Sequence, residues 1–198
     1  SDAAGSRFEI EEADFAGWTK LSYGPSDAWK HNLFLSRYGD EFDLNDLGFM
    51  KRNDITEVYG SSRYKRLKYD SDSILLSSST KLDFGYSENS AGLRLESWLG
   101  FENEWDFRST RSIEFNFGVF SSGWDDRITR GNGIAAYSSG YWSYAEYRSP
   151  QGDQFNYFAA LEADYNPEQE LSWKLSFGPE VYATDNLTLS TFFSFGRK

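Results

Sequence analysis

The chain has 198 residues, 31 acidic against 20 basic, one histidine and no cysteine, for a formal net charge of −11. That length holds one domain or two small ones; the acidity argues against a nucleic-acid binder, which needs a basic footprint; the lack of cysteine excludes a disulfide scaffold, a thiolate metal site and a cysteine nucleophile. No run approaches the roughly eighteen consecutive apolar residues of a transmembrane helix, the opening Ser1-Asp2-Ala3-Ala4-Gly5-Ser6 has neither the basic nor the apolar region of a signal peptide, and aromatic residues at 19% of the chain argue against disorder.

From the N-terminus, strands are expected near 16–23, 29–38 and 55–66, in the least regular third of the chain. Beyond them the period is two. Ile74, Leu76, Ser78, Thr80, Leu82 and Phe84 alternate with Leu75, Ser77, Ser79, Lys81 and Asp83. The run 91–108 is the clearest. Its odd positions include Leu93, Leu95, Leu99, Phe101, Trp105 and Phe107, and its even positions Arg94, Glu96, Trp98, Glu102, Glu104 and Asp106. Successive strand side chains point to opposite faces, so one face is apolar and the other charged, whereas a helix would mix the two sets. The same alternation returns in Ile113 to Val119, Phe155 to Ala163, Leu171 to Phe177 and Leu187 to Phe195. Short polar breaks at 87–90, 149–152, 166–169 and 183–186 have hairpin length.

The expected fold is therefore all-β: an antiparallel up-and-down meander of about ten long strands, forming one domain over 1–198. Strand length bears on the environment. Strands of soluble sandwiches average about five or six residues, whereas a tilted membrane-spanning strand needs about 9–11. Outer-membrane barrels also carry aromatic girdles at both interfaces, a role open to Trp105 and Phe107, to Phe120 and Trp124, and to the cluster Tyr141, Trp142, Tyr144 and Tyr147. Charges lining a wet lumen would account for a mean hydropathy of −0.65 in such a protein. The reading is a transmembrane β-barrel or a segment of one. A soluble carbohydrate- or lipid-binding barrel with its apolar face inward is the alternative, because periodicity shows one apolar face in both.

Two segments bear a resemblance: Phe42-Asp43-Leu44-Asn45-Asp46-Leu47-Gly48-Phe49-Met50-Lys51-Arg52-Asn53-Asp54, and Asp125-Asp126-Arg127-Ile128-Thr129-Arg130-Gly131-Asn132-Gly133. Together, with the meander between them, they resemble the C-terminal barrel region of a family of bacterial outer-membrane proteins of unknown function. Members usually begin with a signal peptide and a carbohydrate-binding module similar to family nine. The resemblance implies an outer-membrane location in a Gram-negative bacterium and a non-enzymatic barrel, an anchor or conduit linked to glycan binding or uptake. It also implies that Asn45, Asp46, Gly48 and Arg52 are structural fixtures of a strand entry. The chain departs from the family in lacking the leader and the sugar-binding module and in ending Phe195-Gly196-Arg197-Lys198 without a terminal aromatic residue. It is thus expected to be a piece of a larger protein, whose unpaired edges close on themselves, on missing strands or on other chains. The expected partners are outer-membrane lipid, a glycan and those missing strands; nucleic acid is not among them.

Candidate sites are few. Asp40, Glu41, Asp43, Asn45 and Asp46 offer dense oxygen ligands, but without the calcium-loop spacing they read as a solvated turn. Asp125, Asp126, Arg127 and Arg130 fall in the longest glycine-containing break, 121–135, where they would either grip an anionic or sugar ligand or pair among themselves. Glu102 and Glu104 share one face at about 7 Å, a separation compatible with a glycosidase pair; with Arg94 and Glu96 they more simply line a wet lumen. Trp98 and Trp142 fall among charged residues on the polar face and are the candidates for stacking on a ligand, although structural packing is the simpler role for both. His31 has no nucleophile motif near it. The sequence therefore nominates no catalytic residue, no metal ligand and no cofactor.

Overall fold

The computed structural model describes residues 15–40, 53–126, 133–150, 154–168, 170–184 and 187–197. They form β1 (Ala16–Ser26), β2 (Trp29–Tyr38), β3 (Ile55–Arg66), β4 (Leu75–Glu88), β5 (Arg94–Phe107), β6 (Ser112–Phe120), β7 (Gly123–Asp125), β8 (Ala135–Tyr137), β9 (Gly140–Arg148), β10 (Phe155–Asn166), β11 (Glu170–Thr184), β12 (Leu187–Ser190) and β13 (Phe193–Arg197). There is no helix among the described residues. One 11-stranded sheet runs β1-β2-β3-β4-β5-β6-β9-β10-β11-β12, with β13 also on β11, and every pairing is antiparallel.

The alternating runs become these strands because each residue in a long antiparallel ladder bonds across to its neighbour while its side chain takes one of two faces. The expected strand at 187–195 is broken. β12 and β13 lie consecutively along the same side of β11, and the break at 191–192 lets Phe192 turn to stack on Phe158 at 6.1 Å between centroids. The small sheet β7–β8 lies within the break after β6. Its Tyr137 hydroxyl donates to the Leu95 carbonyl. Burial, followed by the Glu96 carboxylate, holds the Tyr137 phenol above its ordinary pKa, so it stays a protonated donor.

Connections are unequal at the two ends. Residues 27–28, 67–74, 108–111, 149–154 and 185–186 join strands at what we call the turn end. The loop end carries 39–54, 89–93, 121–139 and 167–169. The described ends of the two segments that carry the family resemblance, Asn53 with Asp54 and Asp125 with Asp126, lie at the loop end.

Among the described residues no second layer covers the large sheet; apart from its own neighbours, the only element that packs on it is β7, on β5. The consequence shows in burial. Ile55, Leu95 and Ala160 are the buried hydrophobic residues, while Leu82, Leu99, Leu161, Leu171 and Leu175 are each about half exposed on one face. By register, that face is continuous: Leu21, Leu33, Gly60, Phe84, Leu99, Val119, Tyr141, Tyr165 and Leu171 form one row across the strands. Aromatic residues run along this face, with Phe101 and Phe115 paired at mid-strand at 6.5 Å. Near the loop end Tyr141 stacks on Tyr165 at 5.3 Å. Near the turn end Tyr147, Phe155 and Phe177 surround Tyr157 at 5.8 to 5.9 Å. His31 belongs to this apolar face, stacked between Trp29 and Tyr23.

The register divides the aromatic cluster on β9. Tyr141 and Tyr147 lie on the apolar face, but Trp142 and Tyr144 lie on the polar one. Phe120, also expected in a girdle, shares the polar face with Trp98. Among the described residues the ladder ends at the outer sides of β1 and of β12 with β13.

Candidate functional site

The opposite face carries the polar and charged side chains, and the register sorts them into rows. Nearest the loop end, Ser36, Glu57, Ser87 and Glu96 face one another across β2 to β5. Ser36 donates to Glu57 Oε2 at 2.9 Å and the Tyr59 hydroxyl to Oε1 at 3.0 Å. The next row is Phe34, Tyr59, Gly85, Trp98, Phe120 and Gly140. Its two glycines are floors for rings: a Cβ on Gly85 would meet Trp98 Nε1 at 2.3 Å, and one on Gly140 would meet Phe120 Cζ at 2.5 Å. Trp98 and Phe120 thus lie down along the sheet rather than standing off it.

Trp142, one row further, lies on Gly118 in the same way, at 2.4 Å from the position a Cβ would take. The two tryptophans singled out from sequence therefore share one geometry, a ring packed against the backbone of the neighbouring strand. This packing uses one π-face of each ring.

Two rows beyond the aromatic one, Lys30, Arg63, Lys81, Glu102, Asn116, Tyr144, Glu162 and Lys174 stand in register across the strands from β2 to β11. Lys81 Nζ is 2.8 Å from Glu102 Oε1 and 3.3 Å from Asp83 Oδ2, and Lys174 Nζ is 2.7 Å from Glu162 Oε1. In the following row Glu104, Glu114 and Glu146 oppose one another on β5, β6 and β9. Glu146 is buried and held by the Tyr144 hydroxyl at 2.6 Å and Arg148 Nε at 2.5 Å; Asn116 Nδ2 donates to Glu114 at 2.7 Å.

The face is electrically divided. On β1 to β4 the register places Lys20, Lys30, Arg63, Lys65 and Lys81 against Glu57 and Asp83. On β5 to β10 it places Glu96, Glu102, Glu104, Asp106, Glu114, Glu146, Glu162 and Asp164 against Arg148. Glu102 sits at the seam, and its contact with Lys81 is where the halves meet.

Of the other residues nominated from sequence, Arg94 and Glu96 flank a bulge in the β4–β5 ladder, with Arg94 Nη2 3.5 Å from Ser122 Oγ. Asp125 ends β7, and the Asn89 side chain donates to Asp126 at 3.2 Å. Asp54 accepts from the Ser90 backbone N–H at 2.8 Å. The turn 89–93 thus joins the ends of both family-like segments. Asn45, Asp46, Gly48, Arg52, Arg127 and Arg130 lie outside the described residues, as do Glu41 and Asp43 of the acidic cluster. No group of three or more His, Asp or Glu side chains among the described residues is arranged to hold a metal ion.

Lys81, Arg63, Tyr59, Glu114 and Glu146 were not nominated from sequence. Alternation already put Lys81 and Asp83 on the polar side, but only the inter-strand register brings Lys81 to Glu102.

Fold and face together define a class: a long-stranded antiparallel meander with an exposed apolar side and an ion-paired polar side. The model of a family described as Domain of unknown function (DUF5916) matches residues 10–198, and the chain belongs to that family. No curated protein matches it, and no solved structure matches it.

Proposed function

We propose that this chain is the wall of a bacterial outer-membrane β-barrel, a non-enzymatic anchor or conduit that closes through strands of its parent protein or through other chains. The observation that carries this reading is the sidedness of a single-layered sheet. Leu99 is 53% exposed on one face, while Glu146 is 7% exposed and ion-paired on the other. A soluble barrel requires the reverse. In hydrocarbon an exposed leucine row costs nothing, and a charged, hydrogen-bonding face can line water. Strand length agrees: the 12 residues of β10 span about 40 Å of strand, which a tilt of about 40° projects to about 30 Å, enough to cross an outer-membrane apolar band of about 25 Å. The two longest connections, 39–54 and 121–139, share one end, which resembles the asymmetry of periplasmic turns and external loops. Linkage to glycan uptake is supported by the rings laid flat on the polar face.

The test is depth-dependent quenching. Single-tryptophan variants of the full chain are reconstituted in vesicles containing brominated lipid. Trp29, Trp105 and Trp173, on the apolar face, are expected to be quenched; Trp98 and Trp142 are expected to stay bright. Quenching of Trp98 and Trp142 instead, or a folded monomer in plain buffer with none quenched, overturns the proposal in favour of a soluble barrel.

A further inference from the structure

The aromatic row on the polar face is more than packing. Trp18 stacks on Phe34 at 6.2 Å and Phe34 on Tyr59 at 6.3 Å. Trp98 continues the line across Gly85, and Phe120 follows it. From β2 to β6 this ledge spans about 19 Å at the usual strand spacing. Phe34, Tyr59 and Trp98 border a depression of about 200 Å³ with a mostly apolar lining, at whose edge Asn32, Lys81 and Asp83 supply polar groups. The three rings are partly exposed, so each keeps some accessible aromatic surface there.

The chemistry of the walls selects the occupant. A π-face alone would welcome a cation, but Lys20 and Lys81 border the depression and repel one. An anion would meet those lysines, yet also Asp83 in the wall and the carboxylates of Glu57 and Glu96 in the adjoining row. Neither sign is favoured. A purely apolar ligand would offer nothing to Asp83 Oδ1, which has no hydrogen-bond partner, and would strip water from the Lys81 ammonium, which is costly. What fits is a neutral molecule with one apolar flat side and a rim of hydroxyls that can both donate and accept. We propose that the Phe34–Tyr59–Trp98 ledge is a binding site for neutral pyranose units of an oligosaccharide, with sugar faces on the rings and hydroxyls on Asn32, Lys81 and Asp83. The length of the ledge suits a chain of sugars laid across the strands rather than a single ring. The inference rests on the polar face being the wet side.

The experiment titrates the full chain in detergent micelles with neutral hexasaccharides (an α-1,4-glucan, a β-1,4-glucan and a β-1,4-mannan) and with a cationic chitosan hexamer and an anionic hexagalacturonate, reading tryptophan emission and calorimetric heat. At least one neutral hexamer is expected to bind, at least tenfold more tightly than either charged hexamer. Phe34→Ala and Trp98→Phe are each expected to weaken it tenfold or more, while Trp173→Phe, on the apolar face, leaves it unchanged. Circular dichroism confirms that each variant keeps its strands; if Trp98→Phe does not, Phe34→Ala decides alone. Failure of all neutral hexamers to bind, equal binding of a charged one, or indifference to the ledge variants overturns the site. If the lipid-quenching pattern holds while the titration is silent, this site alone fails; if the pattern inverts, the membrane reading fails with it.

Discussion

Lys81 Nζ lies 2.8 Å from Glu102 Oε1 on the neighbouring strand and 3.3 Å from Asp83 Oδ2 two residues along its own. One ammonium therefore holds two carboxylates at the boundary between the basic and acidic halves of the polar face. Lys81→Met leaves both carboxylates without that cation beside an already acidic neighbour, and a loss of about 1–2 kcal/mol is expected. Glu102→Gln keeps a hydrogen-bond acceptor and removes a charge from the acidic half, so its cost is expected below about 1 kcal/mol. Urea unfolding of the reconstituted protein, followed by tryptophan emission, compares the two. A larger loss for Glu102→Gln than for Lys81→Met contradicts this assignment.

Glycine substitutions separate space from backbone strain. Gly118→Ala drives a Cβ into the Trp142 indole, where the nearest atom stands at 2.4 Å. The ring must lift off its neighbour, at a cost of about 1–3 kcal/mol, and its emission should shift as it leaves the backbone. Gly92→Ala meets open space but has φ of +75°, so its cost is conformational, about 1 kcal/mol, with emission unchanged. Emission spectra and unfolding midpoints of the two variants check both halves of the argument.

The strands were legible because alternation is a local property. The expectations at 16–23, 29–38 and 55–66 correspond to β1, β2 and β3, and the run 91–108 contains β5. What was not legible depends on how strands align. Gly85 is thirteen positions from Trp98 in sequence, and nothing in either segment says that the ring will rest on that glycine; the register does. The same holds for Lys81 and Glu102, and for the facing of Glu104, Glu114 and Glu146. Tyr141, Trp142, Tyr144 and Tyr147 look like one girdle when read as a cluster, yet their parity divides them between the apolar and the polar face. β7 and β8 have three residues each, too few for a period to register. The break at 191–192 is hidden because Leu187, Leu189, Phe193 and Phe195 keep alternating across it.

Leu161→Arg distinguishes the two faces energetically. Leu161 stands midway between Tyr157 and Tyr165 on β10 and is half exposed on the apolar side. If that side meets hydrocarbon, the substitution costs about 2–4 kcal/mol near the bilayer midplane; if it meets water, the cost is within about 0.5 kcal/mol. Asn116→Arg, on the polar face opposite Glu102, is expected to be far milder because a lumen-facing guanidinium stays hydrated and enters an acidic surrounding. Refolding titrations into vesicles measure both. Equal costs would remove the distinction between the faces.

The loop end is tied through two contacts of one turn. Asn89 accepts from the Leu93 N–H at 2.9 Å and donates to Asp126 at 3.2 Å, while Asp54 accepts from Ser90 N–H at 2.8 Å. Asn89→Ala removes both of its bonds, and a local loss of about 1–2 kcal/mol is expected. Amide exchange should accelerate at Leu93, and at Ser90 in Asp54→Ala, with the central residues of β5 unaffected. Exchange rates unchanged at both amides would show that the turn does not depend on these side chains.

Glu104, Glu114 and Glu146 give the least intuitive expectation. Directly opposed like charges on neighbouring strands destabilise a sheet, and Arg148 and Tyr144 compensate only Glu146. Glu114 shares its row with a carboxylate on each side. Glu114→Gln relieves both repulsions, and the amide oxygen can still accept from Asn116. Removing this charge should therefore stabilise the protein, by about 0.2–1 kcal/mol. The gain should shrink as salt is raised from about 0.01 M to about 1 M, because screening shortens the reach of the repulsion. Stability measured at both salt concentrations supplies the check: a destabilised variant at low salt would mean that the middle carboxylate is held by an attraction stronger than its two neighbours' repulsion.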